Sequence, residues 1–165
     1  MQEKDVTWTL AVLKSARTLE KEGFEFYTKA AGETADANGK AMFKYLAGEE
    51  VWHYDTVNDL IRGFGGHPDA IEDAQSEPSG IFGETAGGKR GRKADALDAL
   101  NIGIRAEDKS IETYSKLFEA TGDKNLKRAV KRLIDEERRH KAILEAEIEF
   151  VTDTGEYHDF KTITM

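Results

Sequence analysis

Apolar side chains return every three or four residues over most of this chain, the spacing that places them on one face of an α-helix. Residues 6–31 carry such a stripe at Leu10, Leu13, Ala16, Phe24, Tyr27 and Ala31. Gly32 and the run Ala35-Asp36-Ala37-Asn38-Gly39 mark a break. A second helix is expected over residues 40–62, with Phe43, Leu46, Glu50, His53, Val57 and Leu60 on its inner face, so that two polar residues occupy core positions. A third, over 94–120, has the seam Leu97, Leu100, Ile104, Glu107, Ile111, Tyr114 and Phe118, and Gly122-Asp123 breaks it. The fourth, over 125–151, has the seam Leu126, Val130, Leu133, Glu137, His140, Leu144 and Val151, and Thr154-Gly155 ends it.

Residues 63–93 have no helical period, contain both prolines (Pro68 and Pro78) and are rich in glycine. Short breaks make antiparallel neighbours and a stretch this long makes a crossover. The expected fold is all-α: a four-helix bundle over residues 1–152, built from two helical hairpins and a long crossover, with a C-terminal tail over 153–165.

The two halves repeat. An offset of 87 positions pairs Glu20 with Glu107, Tyr27 with Tyr114, Glu50 with Glu137 and His53 with His140. The same offset pairs Leu10 with Leu97, Leu13 with Leu100, Leu46 with Leu133, Asp36 with Asp123 and Asn38 with Asn125, without a gap. Each hairpin is one copy of a supersecondary unit. Packed face to face, the copies bring Glu20, Glu50 and His53 opposite Glu107, Glu137 and His140.

That set carries the chemistry. In Glu50-Val51-Trp52-His53 and again in Glu137-Arg138-Arg139-His140, a carboxylate and an imidazole three residues apart share one helix face. A lone Glu-x-x-His pair is weak evidence; two pairs on buried seams, each matched by another buried Glu, are not. Four carboxylates in one core repel each other and lose their hydration. Two divalent cations offset them, and mixed carboxylate and imidazole donors suit iron or manganese, with zinc possible.

Composition narrows the rest. The net charge of −8 argues against nucleic acid as the main partner. The chain has no cysteine, which removes disulfides, thiol chemistry, iron–sulfur clusters and Cys-bound zinc. No long apolar run predicts a membrane span and the N-terminus does not read as a signal peptide, so a cytoplasmic protein is expected. The basic run Lys89-Arg90-Gly91-Arg92-Lys93 reads as a solvated cluster.

With these motifs in place, the chain resembles the rubrerythrin family within the ferritin-like di-iron carboxylate proteins. A Glu on each of two helices plus Glu-x-x-His on each of the other two is their general pattern. The segments Glu20-Lys21-Glu22-Gly23-Phe24-Glu25-Phe26-Tyr27, Asp108-Lys109-Ser110-Ile111-Glu112-Thr113-Tyr114 and Thr154-Gly155-Glu156-Tyr157-His158-Asp159-Phe160 are similar to those of single-domain members. The resemblance implies a ferritin-like bundle holding two iron ions. Glu50 and Glu137 would bridge the metals, Glu20 and Glu107 would be terminal ligands, and His53 and His140 would take one metal each. Tyr27 and Tyr114 would donate hydrogen bonds near the site. The implied activity is reduction of hydrogen peroxide or dioxygen with electrons from an external donor such as a rubredoxin-like protein. Ferroxidation for iron storage, delivery or sensing is the alternative. A homodimer is expected, and the equivalence of the two halves and the length of the tether between them permit it to be domain-swapped.

Two departures stand out. Ser110 occupies the position of an additional Glu ligand of full-length rubrerythrins, its repeat mate is Gly23, and the Cys-rich rubredoxin-like domain is missing. Glu49, Glu136 and Glu112 fall off the seam, His67 and His158 fall in the crossover and tail, and Trp52 is expected on the outer face or against a partner.

Overall fold

The computed structural model of the chain describes residues 3–68, 79–82 and 92–160. Among the described residues there are four helices: α1 (Glu3–Glu33), α2 (Ala37–Gly63), α3 (Arg92–Ala120) and α4 (Lys124–Thr154). Each runs further than its apolar stripe, because end residues need only backbone hydrogen bonds and a cap, not burial. Gly39, expected in the first break, lies inside the first turn of α2.

The repeat extends to the caps. Asp36 caps α2, accepting from the backbone N–H groups of Asn38 (2.8 Å) and Gly39 (2.9 Å). Asp123, its mate at the offset of 87, caps α4 by accepting from Leu126 N–H at 2.8 Å. At the far end of α4, Gly155 takes φ 77° and donates to Val151 O. That left-handed conformation favours glycine and stops the helix.

Helix α1 pairs with α2 and α3 with α4, and the hairpins join mainly through α1 on α3, whereas α2 and α4 touch sparsely. Both hairpins of the one chain thus close a single bundle. Side-chain partners give the directions. Tyr27 reaches Glu107 while Tyr114 reaches Glu20, so α1 and α3 are antiparallel. Helices α2 and α3 therefore run the same way, and the crossover must return along the bundle. Its described residues do so beside α1: Pro68 O accepts from Arg17 at 2.9 Å, Ser79 N–H donates to Glu22 at 3.1 Å, and Phe82 packs on Phe26 with ring centroids 5.2 Å apart.

The core splits into two apolar clusters. One gathers Tyr27, Phe43, Leu46, Leu100 and Leu144, and the other gathers Leu13, Val57, Tyr114, Leu117 and Leu133. Tyr27 with Tyr114, Leu46 with Leu133, Leu13 with Leu100 and Val57 with Leu144 are mates at the offset of 87, so the repeat maps one cluster onto the other. The tail closes one end: Tyr157 lies edge-on to Phe43 at 6.0 Å, and Phe160 packs on Tyr45 at 5.7 Å. A Cβ on Gly39 would stand 2.6 Å from the Tyr157 ring, so only glycine admits the tail there.

The α4 seam is buried in full, but the other stripes need correction. Phe24 is 39% exposed; Gly23 faces inward instead, and the next residue is turned about 100° away from it. Ile61 and Leu117 are fully buried, whereas their neighbours Leu60 and Phe118 are only half-buried. Over helices of 27 and 29 residues, a stripe read at alternating steps of three and four drifts from the true face.

Removing either cap should be measurable. Asp36→Ala and Asp123→Ala are each expected to cost about 0.5–2 kcal/mol and to lower the melting temperature by about 2–4 °C per kcal/mol. Thermal unfolding followed by circular dichroism checks this, and the two effects should be similar because the caps are repeat mates.

Candidate metal centre

Between the two apolar clusters lies a polar layer. Glu20, Glu50, His53, Glu107, Glu137 and His140 are all buried, none more than 4% exposed. α1 supplies Glu20, α3 supplies Glu107, and the Glu-x-x-His pairs come from α2 and α4. All six positions expected from the sequence meet in this one layer.

The geometry follows the repeat. His53 Nδ1 lies 3.3 Å from Glu20 Oε2, 3.3 Å from Glu137 Oε1 and 4.0 Å from Glu50 Oε2. His140 Nδ1 lies 3.3 Å from Glu137 Oε2, 3.8 Å from Glu107 Oε2 and 3.9 Å from Glu50 Oε1. Each imidazole thus has its own carboxylate, and both share Glu50 and Glu137. The two rings stack with centroids 5.2 Å apart. One donor atom from each of Glu50, His53, Glu137 and His140 falls within 4.8 Å of the others, a spread that a metal ion can gather.

Hydrogen bonding does not satisfy this layer. Glu20 Oε2, both oxygens of Glu137 and both ring nitrogens of His53 and of His140 are buried without a well-aligned partner among the described residues. The approaches of 3.3 Å between imidazole nitrogen and carboxylate are off the line of a hydrogen bond. Buried polar atoms are rarely left so. Orphaned carboxylate oxygens and imidazole nitrogens converging on one space are the donor set of a transition metal, so these residues fit the group that the sequence implies.

Without metal, protons carry the compensation. Burial and the charge of Glu137 push Glu107 up to about 8. Burial, then Glu20 and Glu137, hold Glu50 well above the usual carboxylate range. Burial alone would lower His53, but Glu137 and Glu20 outweigh it and raise it to about 10. His140 is raised in the same way, by Glu107 and Glu137 against burial. Glu137 is held low despite its burial, because His140 and His53 face it.

The tyrosines cross between hairpins. The Tyr27 hydroxyl donates to Glu107 Oε1 and the Tyr114 hydroxyl donates to Glu20 Oε1. Two helical turns, about 10 Å of rise, separate each tyrosine from the Glu on its own helix, and antiparallel packing sets it level with the other. Burial, and then the facing carboxylate, raises both hydroxyls well above 10, so they remain donors. Gly103 makes room for this: a Cβ there would stand 3.2 Å from the Tyr27 hydroxyl. A Cβ on Gly23 would stand 3.2 Å from the Glu50 carboxylate, so the mate of Ser110 is a place where Glu50 lies against bare backbone.

One residue set aside by its angle belongs here. Glu49 turns its Oε2 to within 3.8 Å of His140 Nε2, and His140 holds it below the usual carboxylate range. Its position beside Glu50, mirrored by Glu136 beside Glu137, was the available signal. Among the other residues set aside, Glu112 pairs with Lys109 and Lys116 on the surface, His67 is exposed, and His158 is exposed with its ring against Phe150. Trp52 lies on the outer face, under the Arg132 guanidinium and edge-on to His53. Of the basic run, Lys93 donates to Thr152 O at the C-terminal end of α4, and residues 89–91 lie outside the described residues.

Two predictions follow from this geometry. Groups with raised folded-state values stabilise the fold below their unfolded values, and this stability is lost as pH rises through the folded ones. For Glu107 the window runs from 4.5 to about 8 and for His53 from 6.5 to about 10. The melting temperature of the metal-free protein should therefore fall as pH is raised from about 5 to about 10. Depressed Glu137 acts oppositely, so the melting temperature should also fall once pH drops below its unfolded value of 4.5. Calorimetry on chelator-treated protein across this range measures both limbs. Secondly, Tyr27→Phe and Tyr114→Phe each strip a buried carboxyl of its donor, and each should cost about 1–3 kcal/mol in urea unfolding of the metal-free protein.

No helix among the described residues is long and apolar enough to cross a membrane. No curated protein matches the chain. A solved structure described as that of ferritin-like, di-iron carboxylate proteins from Bacillus anthracis str. Ames shares the fold, with a TM-score of 0.66 at 19% identity, covering 90% of this chain and 99% of that one. The rubrerythrin family model matches residues 11–148, a span that holds all six residues of the polar layer and both tyrosines. The chain belongs to the rubrerythrin family.

Proposed function

We propose that this protein is a di-iron oxidoreductase that reduces hydrogen peroxide or dioxygen with electrons from an external donor. The observation that carries this reading is the set of buried carboxylate oxygens and imidazole nitrogens that converge without hydrogen-bond partners. Glu50 and Glu137, near both imidazoles, would bridge two iron ions. Glu20 with His53, and Glu107 with His140, would complete one position each.

Two iron ions supply two electrons together, which permits cleavage of an O–O bond without a released radical. The chain's own residues set the conditions. Four carboxylates balance the charge of two dications, so uptake displaces the protons that Glu50, Glu107, His53 and His140 hold in the metal-free layer. Tyr27 and Tyr114 hold Glu107 and Glu20 by one oxygen each, leaving the other oxygen turned to the cage. The apolar clusters on both sides keep bulk water out and strengthen these interactions. Reduction of peroxide to two waters consumes two electrons and two protons. The electrons come from another molecule, such as a rubredoxin-like protein, in a cytoplasmic setting.

Metal analysis of protein purified without oxygen should give two metals per chain, lost in Glu50→Ala and in His140→Ala. Stopped-flow mixing of the Fe(II)-loaded protein with peroxide and with dioxygen should show oxidation faster than that of free Fe(II). Equal rates would sink the oxidoreductase reading. Repeated turnover with a reductant distinguishes it from ferroxidation for iron storage, delivery or sensing, in which oxidised iron accumulates.

A further inference from the structure

The repeat is nearly symmetric in the polar layer and breaks just outside it. Beside His140 stands Glu49, its side chain 32% exposed, with Oε2 3.8 Å from the imidazole Nε2. That nitrogen is buried and otherwise unpartnered. The gap is about 1 Å longer than a hydrogen bond, which a side chain at the surface closes by a small rotation. Tyr45, one turn earlier on α2, lies edge-on to the same ring at 6.5 Å.

In the other half, the mate of Glu49 is Glu136, the mate of Tyr45 is Arg132 and the mate of Trp52 is Arg139. Glu136 is taken up by arginines: Arg139 Nη2 contacts its Oε2, and Arg132 Nε lies 4.0 Å from its Oε1. Arg132 also stacks over Trp52, 4.6 Å from the ring centroid, and Trp52 lies edge-on to His53 at 5.4 Å. No ion pair joins Glu136 to His53 among the described residues. The same carboxylate, duplicated, is therefore offered to one histidine and withheld from the other.

The geometry points to Glu49 as the positioning residue of His140 and to two metal positions of unequal affinity. By accepting the Nε2–H, Glu49 keeps the proton on the outer nitrogen and leaves the Nδ1 lone pair facing Glu107, Glu50 and Glu137. A carboxylate behind a ligating imidazole fixes its tautomer and raises its basicity, and its loss weakens metal binding by about 10–100-fold. His53, with the Trp52 ring 5.4 Å away and no such carboxylate at its Nε2 among the described residues, lacks this support. The position at His140 is then the tighter of the two and fills first. This inference rests on the reading that the layer holds metal.

Anaerobic Co(II) titration, followed by calorimetry and by the visible absorption of the bound ion, tests it. Wild-type protein is expected to bind in two resolved steps. Glu49→Ala should weaken one step by about 10–100-fold and leave the other unchanged, while Glu49→Gln, which keeps an acceptor oxygen, should restore part of the loss. Glu136→Ala should leave both steps within about threefold of wild type. Both glutamates lie at the surface end of the layer, and matching far-UV circular dichroism shows that each variant is folded. Wild-type binding in two equal steps, an unchanged Glu49→Ala titration, equal weakening of both steps, or an equal effect of Glu136→Ala would overturn the inference while leaving the metal-centre reading intact. No Co(II) uptake by the wild type would overturn both.

Discussion

Everything in this bundle is arranged around like charge in a place where charge is costly. Four carboxylates and two imidazoles share an interior layer from which water is excluded, and such a layer persists only if something neutralises it. In the metal-free chain protons do so: His53 and His140 are raised, Glu50 and Glu107 are pushed up, and Glu137 is held low between the two rings. A metal held by the same donors would take the place of those protons. Proton binding and metal binding are thus competing solutions to the same electrostatic problem.

The surrounding fold makes that layer affordable. Two apolar clusters, related by the repeat, flank it and carry the hydrophobic stabilisation that a polar layer cannot. The long α1 and α3 pack closely, and their tyrosines tie each hairpin to the carboxylate of the other. Helices α2 and α4, which bring the Glu-x-x-His pairs, touch sparsely, consistent with their facing one another across the cage. The crossover is long because α2 and α3 run the same way. Its contacts with Arg17, Glu22 and Phe26 follow that return in order along α1.

Duplication explains the symmetry, and divergence of single residues explains where it ends. Gly23, where its mate is Ser110, leaves Glu50 against bare backbone at the cage. Substitutions that face outward, Tyr45 against Arg132 and Trp52 against Arg139, change which charges reach an imidazole from behind. A two-fold site assembled from one chain is free to differentiate in this way, whereas one assembled from identical chains is not.

The sequence by itself determined the number of helices, the hairpin pairing, the crossover and all six residues of the polar layer. Its two signals were robust: helical period, and an offset that repeats without a gap. Helix ends and flanking faces were less legible, because a stripe read in steps of three and four drifts over some 30 residues. Phe24 and Gly23 exchanged roles because the step of seven residues from Glu20 to Tyr27 divides equally well as four and three or as three and four, and the period does not choose between them. Only the tertiary structure decided which partner each side chain meets. Tyr27 bonds Glu107 rather than anything on its own helix, Tyr157 seats on Gly39, and Glu49 reaches His140 although it lies about 100° off the seam. Period and spacing describe one helix at a time, whereas contacts between helices depend on their direction, level and separation, which packing alone sets.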